Sequence, residues 1–336
     1  MGLKPSFSVV ANGNDISSVI YQLFESITVT DKTGIESDSC EISLIDDPTN
    51  PIEMPVKGAE LKVSMGYDGE LQSMGLFIVD EVELSGPPDK MIIRCRAAVQ
   101  TESKTGKTSL QTQKSRVWDK DITMEGVVLK IATEHNLEHL VSDSLKSVKL
   151  PQITQSDESD LSFLMRLSKR YDAVCKPAGG KLLFVKRGEI DLVKVELTRY
   201  QVSNWTMTSS SRDSAGTVIT YWHEKNKAKK NEVKLGEGEP VRRLRHTYLD
   251  EKSARAAAQS ALDSSKRNEV KVSIELPGDP LLSAEAKLSL SSFRSGIDGD
   301  WLIDSVTHSI DKTTGFVSSL EAVKALDMEM LQNEAL

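Results

Sequence analysis

Residue types able to do chemistry occur along this sequence, but their spacing does not bring them together. His135 and His139 lie four apart, the separation that sets two imidazoles on one helical face for a metal. Asn136 reads as a helix stop that puts His139 beyond the helix, and no HExxH arrangement exists. Gly106-Lys107-Thr108 has the end of a phosphate-binding loop, yet Thr101 stands where its first glycine is needed, so the backbone cradle fails. Asp298, Asp300 and Asp304 suggest calcium, but Leu302 occupies the next ligand position, and Asp298-Gly299 reads as a turn before a strand. Asn204-Trp205-Thr206 is a glycosylation sequon only in a secreted chain. No serine sits in a G-x-S-x-G elbow, and Asp46-Asp47 precede Pro48 as turn residues. No catalytic residue, cofactor site or metal site is expected.

The composition points the same way. The chain has 336 residues, 38% hydrophobic and 27% charged, the profile of a folded protein of more than one domain. Its net charge of −8 argues against nucleic-acid binding, which needs clustered Lys and Arg. The most basic stretch, 225–245, is interrupted by Glu232, Glu237 and Glu239 and reads as a solvated hairpin or loop. Cys40, Cys95 and Cys175 are odd in number and far apart, which fits buried thiols in a reducing cytoplasm. Residues 1–10 hold one lysine and no long apolar run, so neither an export signal nor a membrane anchor is expected.

The elements that must position any function are repeated. GLFIVDEVELS (75–85) and GDWLIDSVTHS (299–309) share Gly75 with Gly299, Asp80 with Asp304, and Val82 with Val306. Phe77 falls opposite Trp301. Upstream, GAELKVSM (58–65) matches SAEAKLSL (283–290); downstream, MIIRCRAA (91–98) matches FVSSLEA (316–322). The order is kept, at an offset of 223 to 226 residues, which indicates a duplicated domain.

Leu61, Val63 and Met65 alternate with polar residues, as do Met91, Ile93 and Cys95, so the duplicated unit reads as short antiparallel strands. The expected fold is mainly β with α+β insertions: two similar antiparallel β-barrels and a small α/β domain between them. The first barrel is placed at 1–110 and the small domain at 111–190. The second is placed at 191–326, with a hairpin and helix excursion at about 226–267, and 327–336 is left as a tail. Thr123 and Ser156 are read as N-caps of two helices, and a third helix is read as starting at Asp250. Ala254, Ala257, Ala258 and Ala261 form a small-residue stripe that could meet a neighbouring element.

These residues resemble a known family. GIDGDWLIDSVTH (296–308), closing with Gly315-Phe316 and Leu320-Glu321, looks like the signature end of phage late control protein D. QSDESDLSFL (155–164), Arg170-Tyr171-Asp172-Ala173 and Ser115-Arg116-Val117-Trp118 resemble that family's middle domain. The resemblance covers essentially the whole chain. It implies the baseplate hub of a contractile tail, related to the N-terminal part of type VI secretion spike proteins. It implies a homotrimer that joins a sixfold tail tube to a threefold spike, assembled in the host cytoplasm and carried in the virion. Tape measure and baseplate wedge proteins are further implied partners, and no catalytic residue is carried over. Two alternatives stay open: the hub of an R-type bacteriocin or other contractile injection system, and a hub-associated peptidoglycan-degrading enzyme.

Overall fold

The computed structural model describes residues 3–34, 38–98, 110, 112–178, 180–189, 194–210, 215–223 and 229–325. The expected tail at 327–336 and Gly106-Lys107-Thr108 lie outside these residues. The N-terminal half contains β1 (Pro5–Ala11), β2 (Asn14–Asp15), α1 (Ser17–Leu23), β3 (Phe24–Lys32), β4 (Ser39–Ile45), β5 (Glu60–Tyr67), β6 (Glu70–Ser85) and β7 (Lys90–Ala97). Two-residue loops set two of its hairpins, β1–β2 and β5–β6. Asn12-Gly13 and Asp68-Gly69 all have positive φ, the mirror-image turn whose twist matches flanking strands. The expected alternation holds: Leu61, Val63, Met65, Met91, Ile93 and Cys95 are buried in one core with Phe7, Ile27, Val29 and Phe77.

The middle segment follows with β8 (Gln113–Trp118), α2 (Met124–Glu134), β9 (Glu138–Val141), α3 (Asp143–Lys146), β10 (Ile153–Ser159), α4 (Asp160–Tyr171), β11 (Ala173–Ala178) and β12 (Lys181–Lys186). Thr123 caps α2 by accepting from the Gly126 amide. The second expected cap is displaced. Ser159, not Ser156, caps α4, accepting from the Ser162 amide. Asp157, at φ 45°, sits in an irregularity of the β8–β10 ladder, so the strand runs on through the acidic stretch that sequence alone assigns to the helix's first turn. Met124, Val127, Val128, Ile131, Phe163, Leu164 and Leu167 share a core of their own.

The C-terminal half comprises β13 (Val195–Thr198), β14 (Asn204–Ser209), β15 (Thr217–His223), β16 (Lys230–Gly236), β17 (Val241–Tyr248), α5 (Glu251–Asn268), β18 (Val270–Pro277), β19 (Lys287–Ser291), β20 (Gly299–Asp311) and β21 (Gly315–Lys324). The chain is mainly β with α+β insertions. Asp250 caps α5 through the Ser253 amide. The alanine stripe does not wait for a neighbour: Ala254, Ala257 and Ala258 are buried in two small cores with Val218, Val233, Tyr248 and Leu262.

The two halves share a strand order. The N-terminal half runs β3-β4-β7-β6-β5 and the C-terminal half β14-β18-β21-β20-β19, in the same chain order, every neighbour antiparallel. The register of the repeat differs from the sequence match in the flanking strands. Phe77 pairs with Leu61 and Trp301 with Leu288, where the sequence match sets Val63 against Leu288. A two-residue slip keeps every side chain on its own face, so hydrophobic alternation cannot reveal it. The halves meet in one sheet, because β3 also pairs with the C-terminal part of β20. Among the described residues no ladder closes either half into a barrel on itself.

The end of β18 approaches β21 too closely for any side chain. A Cβ on Gly278 would lie 2.1 Å from Cγ of Phe316, a ring buried to 4% exposure. Gly278→Ala is expected to destabilise the chain by about 1–3 kcal/mol, read as a lowered thermal midpoint, since the packed ring has nowhere to retreat.

Candidate assembly site

The repeated residues do local structural work. Gly75 and Gly299 have φ of 129° and 122°, a conformation L side chains rarely adopt. Asp80 and Asp304 are the extra residues where the β6–β7 and β20–β21 ladders shift, so both are bulge residues. Phe77 and Trp301 fill the two cores at 1% and 0% exposure, and the Trp301 Nε1–H donates to the Ile297 carbonyl at 2.8 Å. Val306 is wholly buried, whereas Val82 is only partly so.

The two bulges are used differently. Asp80 is exposed and approaches Arg96, at 3.6 Å. Asp304 faces the middle segment: it pairs with Arg187 and accepts from the Thr33 hydroxyl at 2.8 Å. Around it the three parts of the chain are tied by charge. Lys176 of β11 reaches Asp31 at 2.8 Å and Asp38 at 2.7 Å, and Asp31 also accepts from the Ala284 amide at 2.8 Å. Burial opposes the charged form of Asp31, but Lys176 more than offsets it and holds the carboxyl low. Arg267 of α5 pairs with Asp172 at the end of α4, and Ser260 donates to the Lys169 carbonyl at 2.7 Å. Asp304→Asn should cost about 1–3 kcal/mol in urea unfolding, because it strips a charge from Arg187, while Asp80→Asn should stay within about 0.5 kcal/mol.

This arrangement is a scaffold in which charges tie the three parts of the chain to one another. A family model described as phage tail baseplate hub matches residues 39–314. The chain is also 32% identical to the probable baseplate hub protein of Escherichia phage 186, over 97% of this chain and 95% of that one. The chain belongs to the phage tail baseplate hub family. Its fold is similar to the 43 kDa tail protein of prophage MuSo2 from Shewanella oneidensis, with TM-score 0.70 at 14% identity, covering 95% of this chain and 98% of that one. It is likewise similar to a type VI secretion system component of E. coli, with TM-score 0.57 at 11% identity, covering 96% of this chain and 77% of the other.

In this hub the histidines stand apart in role. His135 ends α2 and is buried, 2.8 Å from Asp160; His139 lies on β9, 3.8 Å from Glu125. Glu134, His135 and Asp160 do converge as a possible ligand trio. Lys114 and Arg116 already bond both carboxylates, and their positive charge opposes a cation there. Burial would raise the Asp160 carboxyl, but hydrogen bonds from His135, Lys114 and Gln155 and the charge of Arg116 outweigh it and lower it to about 2. Asp298 accepts from the Phe293 amide at 2.9 Å, a turn role. The basic stretch supplies β16 and β17, and Arg242 and His246 line a cleft of about 1130 Å³ with Arg187 and α5. Among the described residues no helix is long and apolar enough to cross a membrane.

Sequence reasoning missed the residues that join the modules: Asp31, Lys176, Arg187, Arg267 and Glu285. Glu285 is 5% exposed, lies 3.8 Å from Arg187, and neither of its carboxylate oxygens has a hydrogen-bond partner. Burial pushes its carboxyl up to about 7, Arg187 pulling down only in part and Asp304 adding to the rise. Nothing in a linear pattern marks such residues, because their partners are remote in the chain. Only the left-handed φ of Glu285, where the repeat has Gly58, sets it apart.

Proposed function

We propose that this hub acts as a homotrimer at the tip of a contractile tail, adapting the sixfold tail tube to the threefold central spike. The observation that carries this reading is the repeated strand order, with its bulge at Asp80 and again at Asp304. A chain holding two copies of one strand unit presents six such units when three chains close around an axis, and only three copies of everything else. Each unit is read as one tube-like barrel domain, at 1–110 and 191–326, whose open ladder is completed by assembly. The direct partners are then the tail spike and the tail tube, with tape measure and baseplate wedge proteins adjoining.

Assembly takes place in the host cytoplasm, before the finished baseplate is carried in the virion. Family membership supports a structural role without catalysis; a peptidoglycan zymogram of the purified hub should show no clearing. The direct test is subunit counting in purified tails by quantitative mass spectrometry. Three hub chains per tail, for every six tube chains of one ring, are expected. Six hub chains per tail would remove the need for a duplicated chain and reject the reading.

A further inference from the structure

The seam between the two halves is a strand pairing whose equivalent, one repeat along, has only one of its two strands. Within the chain, β3 adds to the free edge of β20, with Ser309 opposite Thr28, His308 opposite Val29 and Thr307 opposite Thr30. The hydroxyls pair across it, Thr28 to Ser309 at 3.1 Å and Thr30 to Thr307 at 3.4 Å. The shared strand order makes β14 the counterpart of β3 and β6 the counterpart of β20. Among the described residues β14 is laddered only to β18, and β6 over 81–85 only to β7.

Exposure follows this difference. His308 and Val29, which face each other on the core side of the seam, are each 2% exposed. Leu84, the counterpart of His308, lies opposite buried Met91 and so points to the core face, yet it is 53% exposed. Met207, the counterpart of Val29, is only partly buried although it lies opposite Val272. Among the described residues each of these edges lacks the strand that the other half of the repeat supplies. An apolar side chain on the core face of an unpaired edge is an open template for another strand.

We infer that β14 of one copy adds to the free edge of β6 in the next copy, antiparallel, with Thr206 opposite Ser85, Met207 opposite Leu84 and Thr208 opposite Glu83. The register is the β3–β20 register carried through the repeat, and the occupant is a second copy of this chain. Met207 covers Leu84, and backbone hydrogen bonds extend one sheet from chain to chain. This rests on the trimeric reading above and adds the surface by which the ring closes.

The test is disulfide trapping in intact tails carrying Thr206→Cys together with Ser85→Cys. Directly opposed strand positions meet disulfide geometry. The native Cys40, Cys95 and Cys175 are buried; burial pushes Cys95 and Cys175 up to about 12 and raises Cys40 as well, which keeps all three unreactive. Mild oxidation should shift the hub from a one-chain band to reducible two- and three-chain bands, absent from either single variant. Thr28→Cys with Ser309→Cys is the control and should close within one chain. If the control closes and three hub chains are counted, but no inter-chain band forms, the strand pairing is wrong and the trimer stands. Inter-chain bands with a count other than three would keep the pairing and sink the trimer. Should the cysteine pair prevent assembly, Leu84→Lys and Met207→Lys should each reduce tail yield, and Leu84→Lys with Met207→Glu should restore it. Failure of that rescue, with each chain folded by circular dichroism, also overturns the pairing.

Discussion

Asp160→Ala should destabilise the hub by about 2–4 kcal/mol, because it removes the buried carboxylate on which four side chains converge and leaves the partly buried Lys114 and Arg116 to Glu134. Asp160 is wholly buried and receives Lys114 at 2.7 Å, His135 at 2.8 Å and Gln155 at 2.9 Å, with Arg116 closing the set. Arg116 in turn lies over the Trp118 ring, 4.3 Å from its centroid, and Trp118 stacks on Phe163. Loss of the carboxylate therefore loosens the core that joins β8 to α4. The same group predicts an acid limb. Its folded carboxyl sits at about 2 against an ordinary 3.8, so its contribution is fully present above about pH 4 and is lost as the pH falls towards 2. The shift corresponds to about 2 kcal/mol. Urea unfolding at pH 7 and pH 2.5 should show a large gap between wild type and Asp160→Asn at the higher pH and a smaller one at the lower. An equal gap at both would show that the carboxylate charge is not what matters.

Glu285→Gln should have the opposite sign and stabilise the hub at pH 8. Glu285 holds its proton up to about pH 7 in the folded chain, whereas an ordinary carboxyl releases it near 4.5. Between those values the native state binds more protons than the unfolded one, so stability falls as the pH rises, and the full penalty stands above pH 7. That penalty is about 3 kcal/mol. Glu285→Gln removes the part that titrates, so its gain should appear at pH 8 and vanish near pH 4.5. Glu285→Gly should show the same pH-dependent gain and exceed Glu285→Gln by about 1 kcal/mol at every pH, because the residue holds φ 68° where the first repeat has Gly58 at φ 89°. Urea midpoints across this range check both. A drop in stability at pH 8 in both variants would mean that Glu285 holds Arg187 in place and that the pairing outweighs the burial.

How much of this could be read from the sequence differs by element. Gly75 and Gly299, Phe77 and Trp301, and Asp80 and Asp304 stand in strands whose side chains and bulges leave a linear mark, and there the two halves can be aligned by eye. The counterpart of β3 does not stand out in the sequence. Ser26-Ile27-Thr28-Val29-Thr30 and Asn204-Trp205-Thr206-Met207-Thr208 share alternating threonines, but β15 to β17 and α5 intervene before the next repeated strand, so the offset breaks. The cap of α4 moved from Ser156 to Ser159 because both offer a hydroxyl before an acidic, apolar run. Tertiary pairing with β8 decided between them. The junction was illegible for another reason: Asp31, Lys176 and Ala284 meet only after the chain has folded, and a solvated charge looks the same in sequence as a buried one.

The central claim is that two strand units per chain and three chains per hub make one six-membered ring. Mass photometry of the hub mixed with its spike measures it most directly, because it counts 37.0 kDa chains and does not require the isolated hub to trimerise first. The account predicts a single complex of three hub and three spike chains, with the extensive interfaces, above about 2,000 Å² in total, of an obligate assembly. A complex of one hub with one spike chain, or of six hub with three spike chains, would contradict it.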